Sequence, residues 1–102
     1  MDAAMVVPKT IDSISSCDLA EHALDATSRG IAVEAASYQL REGEQLVTEW
    51  LEILYIPSDL RAAASWGADA IWFDANSIDH ALETWLAAQN GDEDAIAHIE
   101  AN

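Results

Sequence analysis

The chain has 102 residues, of which 51% are hydrophobic and four are tryptophan, and it carries 19 acidic residues against four basic ones for a formal net charge of −15. A chain of this length makes one domain able to bury roughly two-thirds of its unfolded surface, and so apolar a composition excludes a disordered acidic tail, which lacks the material to offset chain entropy. The charge disfavours direct contact with nucleic acid or an anionic membrane, so any partner for this surface is expected to be basic.

Residues 1–15 contain Pro8 with several Ser and Thr and show no helical periodicity. They are expected to form an extended or poorly ordered arm, with Val6 and Val7 tacked onto the core. Asp2 and the lack of a basic n-region do not read as a signal peptide, and no apolar run approaches the ~18 residues needed to span a bilayer. A cytoplasmic protein is therefore expected. The single cysteine, Cys17, cannot form an internal disulfide, which fits a reducing compartment; it is read as a small buried hydrophobe near a helix start.

Residues 16–102 are expected to form one helical domain. Ser15 or Ser16 is expected as the N-cap, and Asp18 and Glu21 suit a first turn, so the first helix is predicted from Asp18 to Arg41. Leu19, Ala26, Val33, Leu40, Val47 and Leu54 recur at a spacing of seven, the register of a coiled-coil seam. Their companions Ala23, Gly30, Ser37 and Glu44 are weak, and an unbroken helix of ~55 Å exceeds a compact domain of this size. A break or kink at Gly43 is predicted, with a long-helix homodimer as the alternative.

The densest apolar stretch, Glu44–Ile56, then reads as a central helical rod. Its Leu46, Val47, Trp50, Leu51, Ile53 and Leu54 fall at helical spacings and cover more than half a circumference. Pro57 ends it and Ser58 caps a third segment, whose stripe is Leu60, Ala63, Ala64, Gly67 and Ile71. Trp66, Trp72 and Phe73 fall off that stripe. Either the helix stops near Gly67 and restarts around Asp69, or some of these aromatics are exposed anchors for a partner.

Asn76 or Ser77 caps a fourth helix with the stripe Ile78, Ala81, Leu82, Trp85 and Leu86, stopped at Asn90–Gly91. Asp92-Glu93-Asp94 opens a short last helix whose Ile96 and Ile99 turn back to the core. The fold class expected is all-α, a compact bundle of four to five helices with a poorly ordered N-terminal arm.

Chemistry-bearing motifs are scarce. There is no Gly-rich phosphate loop, nucleophile elbow or cysteine pair, so no catalytic, cofactor-binding or metal residue is assigned and no cofactor is expected. A small metal-binding helical enzyme is an alternative. His80 and Glu83, one turn apart with Asp79 alongside, need a second pair, for which His22 with Asp18 or Glu21 is the candidate. Asp92–Asp94 resembles the start of a calcium loop, but Ile96 stands where an oxygen ligand is wanted.

The informative feature is the placement of charge. From Ala62 to Asn102 there are eight acidic residues and neither Lys nor Arg, whereas Met1 to Arg61 has eleven acids and four bases. Carboxylates recur one turn apart, as in Asp18, Glu21 and Asp25 or Asp79 and Glu83. Such like-charged neighbours cost a few tenths of a kcal/mol each. Rows of this kind on a rigid scaffold can pair with the Lys and Arg of a phosphate-binding groove.

In size, charge and lack of catalytic motifs the chain resembles the small acidic inhibitors of phages and mobile elements, the DNA-mimic and anti-CRISPR proteins. The resemblance implies a non-catalytic inhibitor, not an enzyme, that covers the basic nucleic-acid-binding surface of a target complex in the host cytoplasm. The expected contact residues are Glu49, Glu52, Asp69, Asp74, Asp79, Glu83, Asp92, Glu93 and Asp94, with Trp66 or Trp72 as an apolar anchor. An immunity or antitoxin protein for a basic toxin uses the same electrostatics, and a halophile-adapted helical protein shows the same acid excess.

Overall fold

In the computed structural model, which describes residues 1–67 and 70–101, the stretch expected as a helical rod is a β-strand. The all-α bundle is thereby replaced by an α+β fold, a five-stranded antiparallel sheet with three helices among the described residues. The elements in chain order are β1 (Asp2–Lys9), a 3₁₀ turn (Ile11–Ser13), α1 (Cys17–Ser28), β2 (Glu34–Glu42), β3 (Gln45–Ile56), β4 (Arg61–Ser65), β5 (Ile71–Asp74), α2 (Ile78–Gln89) and α3 (Glu93–Glu100). The strands lie side by side in chain order, β1 to β5. The expected poorly ordered arm is thus the edge strand β1, extended as anticipated but paired with β2 from Asp2↔Arg41 to Lys9↔Ala35.

The physical reason for the correction lies in Leu51–Ile56, six consecutive residues that are all buried. A run of large apolar residues broken only by Glu52 satisfies a helical spacing as readily as a strand covered on both faces. Here Leu51, Ile53 and Tyr55 point to one face, packing with Phe73, Ala81 and Trp85, while Leu54 points to the other and packs with Leu19, Ala23 and Ala63. α2 and α3 cover the first face and α1 the second. The spacing of seven in the sequence follows no seam: seven is odd, so Val47 and Leu54 of one strand face opposite layers.

The aromatic residues that fit no helical stripe fit a period of two. Ala62, Ala64 and Trp66 belong with the α2 side and Ala63 with the α1 side, while Phe73 and Trp72 divide the same way on β5. Alanine favours helix in isolation. In β4 its small size instead lets helices approach both faces of the sheet, and Ala62, Ala63 and Ala64 are at most 1% exposed.

The first helix is shorter than expected because Gly30 ends it. With φ +76°, Gly30 follows the cap residue Arg29, its N–H donates to Thr27 O at 3.0 Å and the Ile31 N–H donates to Ala26 O at 2.9 Å. This paired closure needs a left-handed residue that only glycine supplies without strain. Gly43, read as a kink, opens the two-residue β2–β3 turn; its φ of +63° and the negative φ of Glu44 give the type II′ geometry that suits a hairpin.

Two elements form as the sequence implies. Ser77 caps α2, its Oγ accepting the His80 N–H at 3.0 Å, and Asp92 caps α3, its Oδ1 accepting the Ala95 N–H at 3.0 Å. Ala81 and Trp85 of the anticipated stripe are buried under the sheet. No helix of the described residues is long and apolar enough to cross a membrane.

Phe73 of β5 is fully buried on the face of the sheet that α2 and α3 cover. Phe73→Ala is expected to lower the unfolding free energy by about 3–5 kcal/mol, read from urea denaturation, with far-UV circular dichroism retaining its mixed helix and strand signal.

Candidate functional site

The α1 face of the sheet carries a row of polar residues where its neighbours are apolar. Cross-strand pairing aligns Val7, Ser37, Glu52 and Ser65 on β1, β2, β3 and β4. Glu52 is only 7% exposed, and a carboxylate at that depth needs several partners. Its Oε2 accepts the Ser15 N–H at 2.9 Å and the Ser37 hydroxyl at 3.3 Å, and its Oε1 accepts the Ser16 N–H at 2.7 Å. The segment leading into α1 is therefore tied by its backbone to the centre of the sheet. Ser16 then caps α1, its Oγ accepting the Leu19 N–H at 3.4 Å, and Asp18 Oδ2 accepts the Ala70 N–H at 3.1 Å.

Beside this tether, over the sheet, lies a cavity of about 710 Å³, within the size range of ligand-binding clefts. Ser15 to Asp18 form one wall, Ser37, Glu52 and Ser65 the floor, and Val7, Lys9, Glu49, Trp50 and Gly67 the rim. The rim is shaped by an irregularity in the ladder. Gln39 faces Trp50 while Arg41 faces Leu46, so β3 places Val47–Glu49 opposite Leu40 alone. Bulges of this kind re-aim side chains. The Glu49 carboxylate comes to lie over Gly67, where a β-carbon would approach its oxygen to 2.5 Å. Trp66 pins the bulge, its indole N–H donating to Glu49 O at 3.2 Å and its ring meeting Trp85 edge-on at 5.4 Å.

The residues singled out in the sequence are dispersed. Glu52 is buried and internally engaged, so it is withdrawn from the set available to a partner. Glu49, Asp79, Glu83, Glu93 and Asp94 are exposed; Asp74 is exposed but paired with Arg61 at 3.2 Å, and Asp92 is occupied as the α3 cap. Asp69 lies outside the described residues. Neither proposed aromatic anchor is free: Trp66 packs on Trp85, and Trp72 is half-buried on the α1 side against the His22 ring at 4.8 Å. The exposed tryptophan is Trp50, at 38%.

The two halves of the suggested metal site never meet, because His22 lies on α1 and His80 on α2, on opposite faces of the sheet. His80 Nδ1 accepts the Asn76 N–H at 3.0 Å. Among the described residues no group of three or more His, Cys, Asp or Glu side chains is placed to hold a metal ion. Cys17, expected to be buried, is exposed at the start of α1 on the cavity wall.

The cavity residues that sequence reasoning missed, Trp50, Ser15, Ser16 and Ser37, had one signal: Ser37 and Glu52 are polar interruptions in otherwise apolar runs. Once both segments are strands, such interruptions mark a shared point on one face. No protein-family model, curated protein or solved structure matches this chain.

Glu52→Ala leaves two loop N–H groups without their acceptor and is expected to cost about 3 kcal/mol. Glu52→Gln, which keeps one acceptor oxygen, should cost less. Hydrogen exchange at the Ser15 and Ser16 amides should quicken in both, and unchanged exchange would show that the tether is absent in solution.

On the opposite face, burial foremost and then the charges of Asp79 and Glu34 hold the Tyr38 phenol above its usual value. The folded state therefore keeps this proton to higher pH than the unfolded state does. Its contribution to stability is constant below about pH 10 and falls above it, by up to about 1.4 kcal/mol per pH unit, until the folded phenol also ionises. Tyr38→Phe should flatten this part of the alkaline decline, as measured by urea midpoints between about pH 9 and about pH 11.

Proposed function

We infer that the chain is a non-catalytic acidic binding protein that acts stoichiometrically, in the cytoplasm of a host cell, by occupying the basic nucleic-acid-binding surface of a target protein or complex. The observation that carries this reading is the exposure of the acids. Of the 19 carboxylate residues, all but half-buried Asp18, buried Glu52 and the undescribed Asp69 are exposed. Among the described residues the ion pairs from Lys or Arg are Arg29–Asp25 at 3.4 Å and Arg61–Asp74 at 3.2 Å. The negative field is thus left largely uncompensated by the chain itself.

The scaffold supports the same reading. Asp79 and Glu83 stand one turn apart on α2, and Glu93 and Asp94 open α3 in the same layer, on helices packed against the sheet. Carboxylates held in this way are presented to a partner with little further ordering, which lowers the entropy lost on binding. Arg and Lys of a phosphate-binding groove form charge-assisted hydrogen bonds with carboxylates as they do with phosphate oxygens. Opposite charge also steers the encounter, making association fast and sensitive to salt.

The test starts with capture from host extract at low salt and elution with rising salt. The captured protein is then assayed for nucleic-acid binding with and without an equimolar amount of this chain. Nucleic-acid binding should be lost in proportion to the chain added. The fourfold reversal Asp79→Lys, Glu83→Lys, Glu93→Lys, Asp94→Lys should weaken the competition by at least about tenfold and flatten its salt dependence. Undiminished competition by this variant, with its melting curve intact, defeats the proposal.

A further inference from the structure

α1 covers only part of its face of the sheet. Its buried stripe, Leu19 and Ala23, rests on Leu54 and Ala63, towards β4 and β5. On the other side of the cavity the face is open. Met5, Gln39 and Trp50 are cross-strand neighbours there, next to the row that begins at Val7. Met5 is 53% exposed, Val7 37%, Trp50 38% and Leu46 56%. This apolar floor runs into the cavity, which Glu49 and Trp50 of β3 line together with Asp18 of α1.

Chemistry separates three kinds of occupant. A second copy would bring another net charge of −15 onto the first, a repulsion that a patch of four apolar side chains does not offset. A strand added to the outer edge of β1 meets a register irregularity between Ala3 and Met5, then Pro8, which has no N–H, and the charge of Lys9. Those are the features that protect sheet edges from pairing. A segment that carries a cationic side chain beside apolar ones matches what remains, because its apolar groups can lie on Met5 and Val7, two strands from Trp50, while the cationic head meets an aromatic face and a carboxylate.

We propose that the open part of the α1 face is a docking surface for an arginine-bearing segment of a basic protein partner, one guanidinium entering the cavity mouth between Trp50 and Glu49. This rests on the reading that the chain binds a basic protein, and it adds where the specific contact is made. The planar guanidinium stacks on the indole and donates to the carboxylate at once, which a lysine ammonium cannot do. Lys9 also lines the cavity, and its charge disfavours a second cation there.

The test is an amide and indole NMR titration at low salt with the peptide acetyl-Gly-Arg-Arg-Gly-amide, against the same peptide with citrulline in place of arginine. Shifts should concentrate on the Trp50 indole N–H and on the Ser15, Ser16 and Cys17 amides, and the citrulline peptide should cause none. Trp50→Ala and Glu49→Gln, each checked for an unchanged melting curve, should weaken binding by about tenfold. Removing the same charge elsewhere, in Glu93→Gln, should leave it within about twofold. Shifts spread along α2 and α3 with the Trp50 indole unmoved, or unaltered affinity in Trp50→Ala, overturn the docking site while leaving the acidic-binder reading intact. A titration with no shifts at all also overturns the docking site, and the competition assay decides the acidic-binder reading separately.

Discussion

The structure depends on a strand buried on both faces. Leu51, Ile53 and Leu54 are each 0% exposed, and no arrangement with a single helical layer achieves that for consecutive residues of one strand. β3 therefore demands a cover on each side. α2 and α3, joined by the short Asn90–Asp92 connection, supply one as a pair. α1 supplies the other alone, and its small stripe of Leu19, Ala23 and Ala26 buries less than a longer apolar face would. Glu52, the charged residue within the buried run, compensates by gripping the backbone that leads into α1. The same carboxylate that fastens the thinner layer also forms the cavity floor, so docking of α1 and the shape of the cavity are one feature.

The helices were more legible in the sequence than the sheet, for a physical reason. Caps and stops are local: Ser16, Ser77 and Asp92 each accept a hydrogen bond from three residues ahead, and those offsets are visible in one dimension. Gly30 and Gly91 close their helices with the same pair of bonds, yet Gly91 follows Asn90 at the end of a clear stripe whereas Gly30 sits inside a misleading spacing of seven. The sheet is a non-local object. Leu46–Ile56 offers apolar residues at helical offsets because eight of its eleven positions are apolar, and Ala62–Ala64 carries a helical preference that burial overrides. The strand evidence was present in Trp66, Trp72 and Phe73, which fit no helical wheel and alternate faces once the period is two.

The candidate site was legible only in part for the same reason. That the surface is acidic follows from composition alone. Which acids remain available follows from tertiary structure: Glu49 and Glu52 differ by three residues, and one lies on the cavity rim while the other is its hydrogen-bonded floor. Trp50 reads as part of a helical core stripe because leucines surround it, and its exposure follows only from α1 stopping short of Gln39 and Met5.

In the proposed complex, charge and shape divide the work of recognition. The exposed pairs Arg29–Asp25 and Arg61–Asp74 contribute at most about 1 kcal/mol each, so the fold is held by its core and the acidic surface acts against it. A diffuse field of this kind accelerates encounter with any basic surface and discriminates poorly among them. Discrimination needs a place where a wrong partner leaves something unpaired or clashing. The slot between Trp50 and Glu49 is such a place, since an occupant must satisfy an aromatic face, a carboxylate and an apolar floor together, with Lys9 opposing a second positive group. A protein with the field and without the slot would bind basic surfaces indiscriminately, whereas one with the slot and without the field would find its partner slowly.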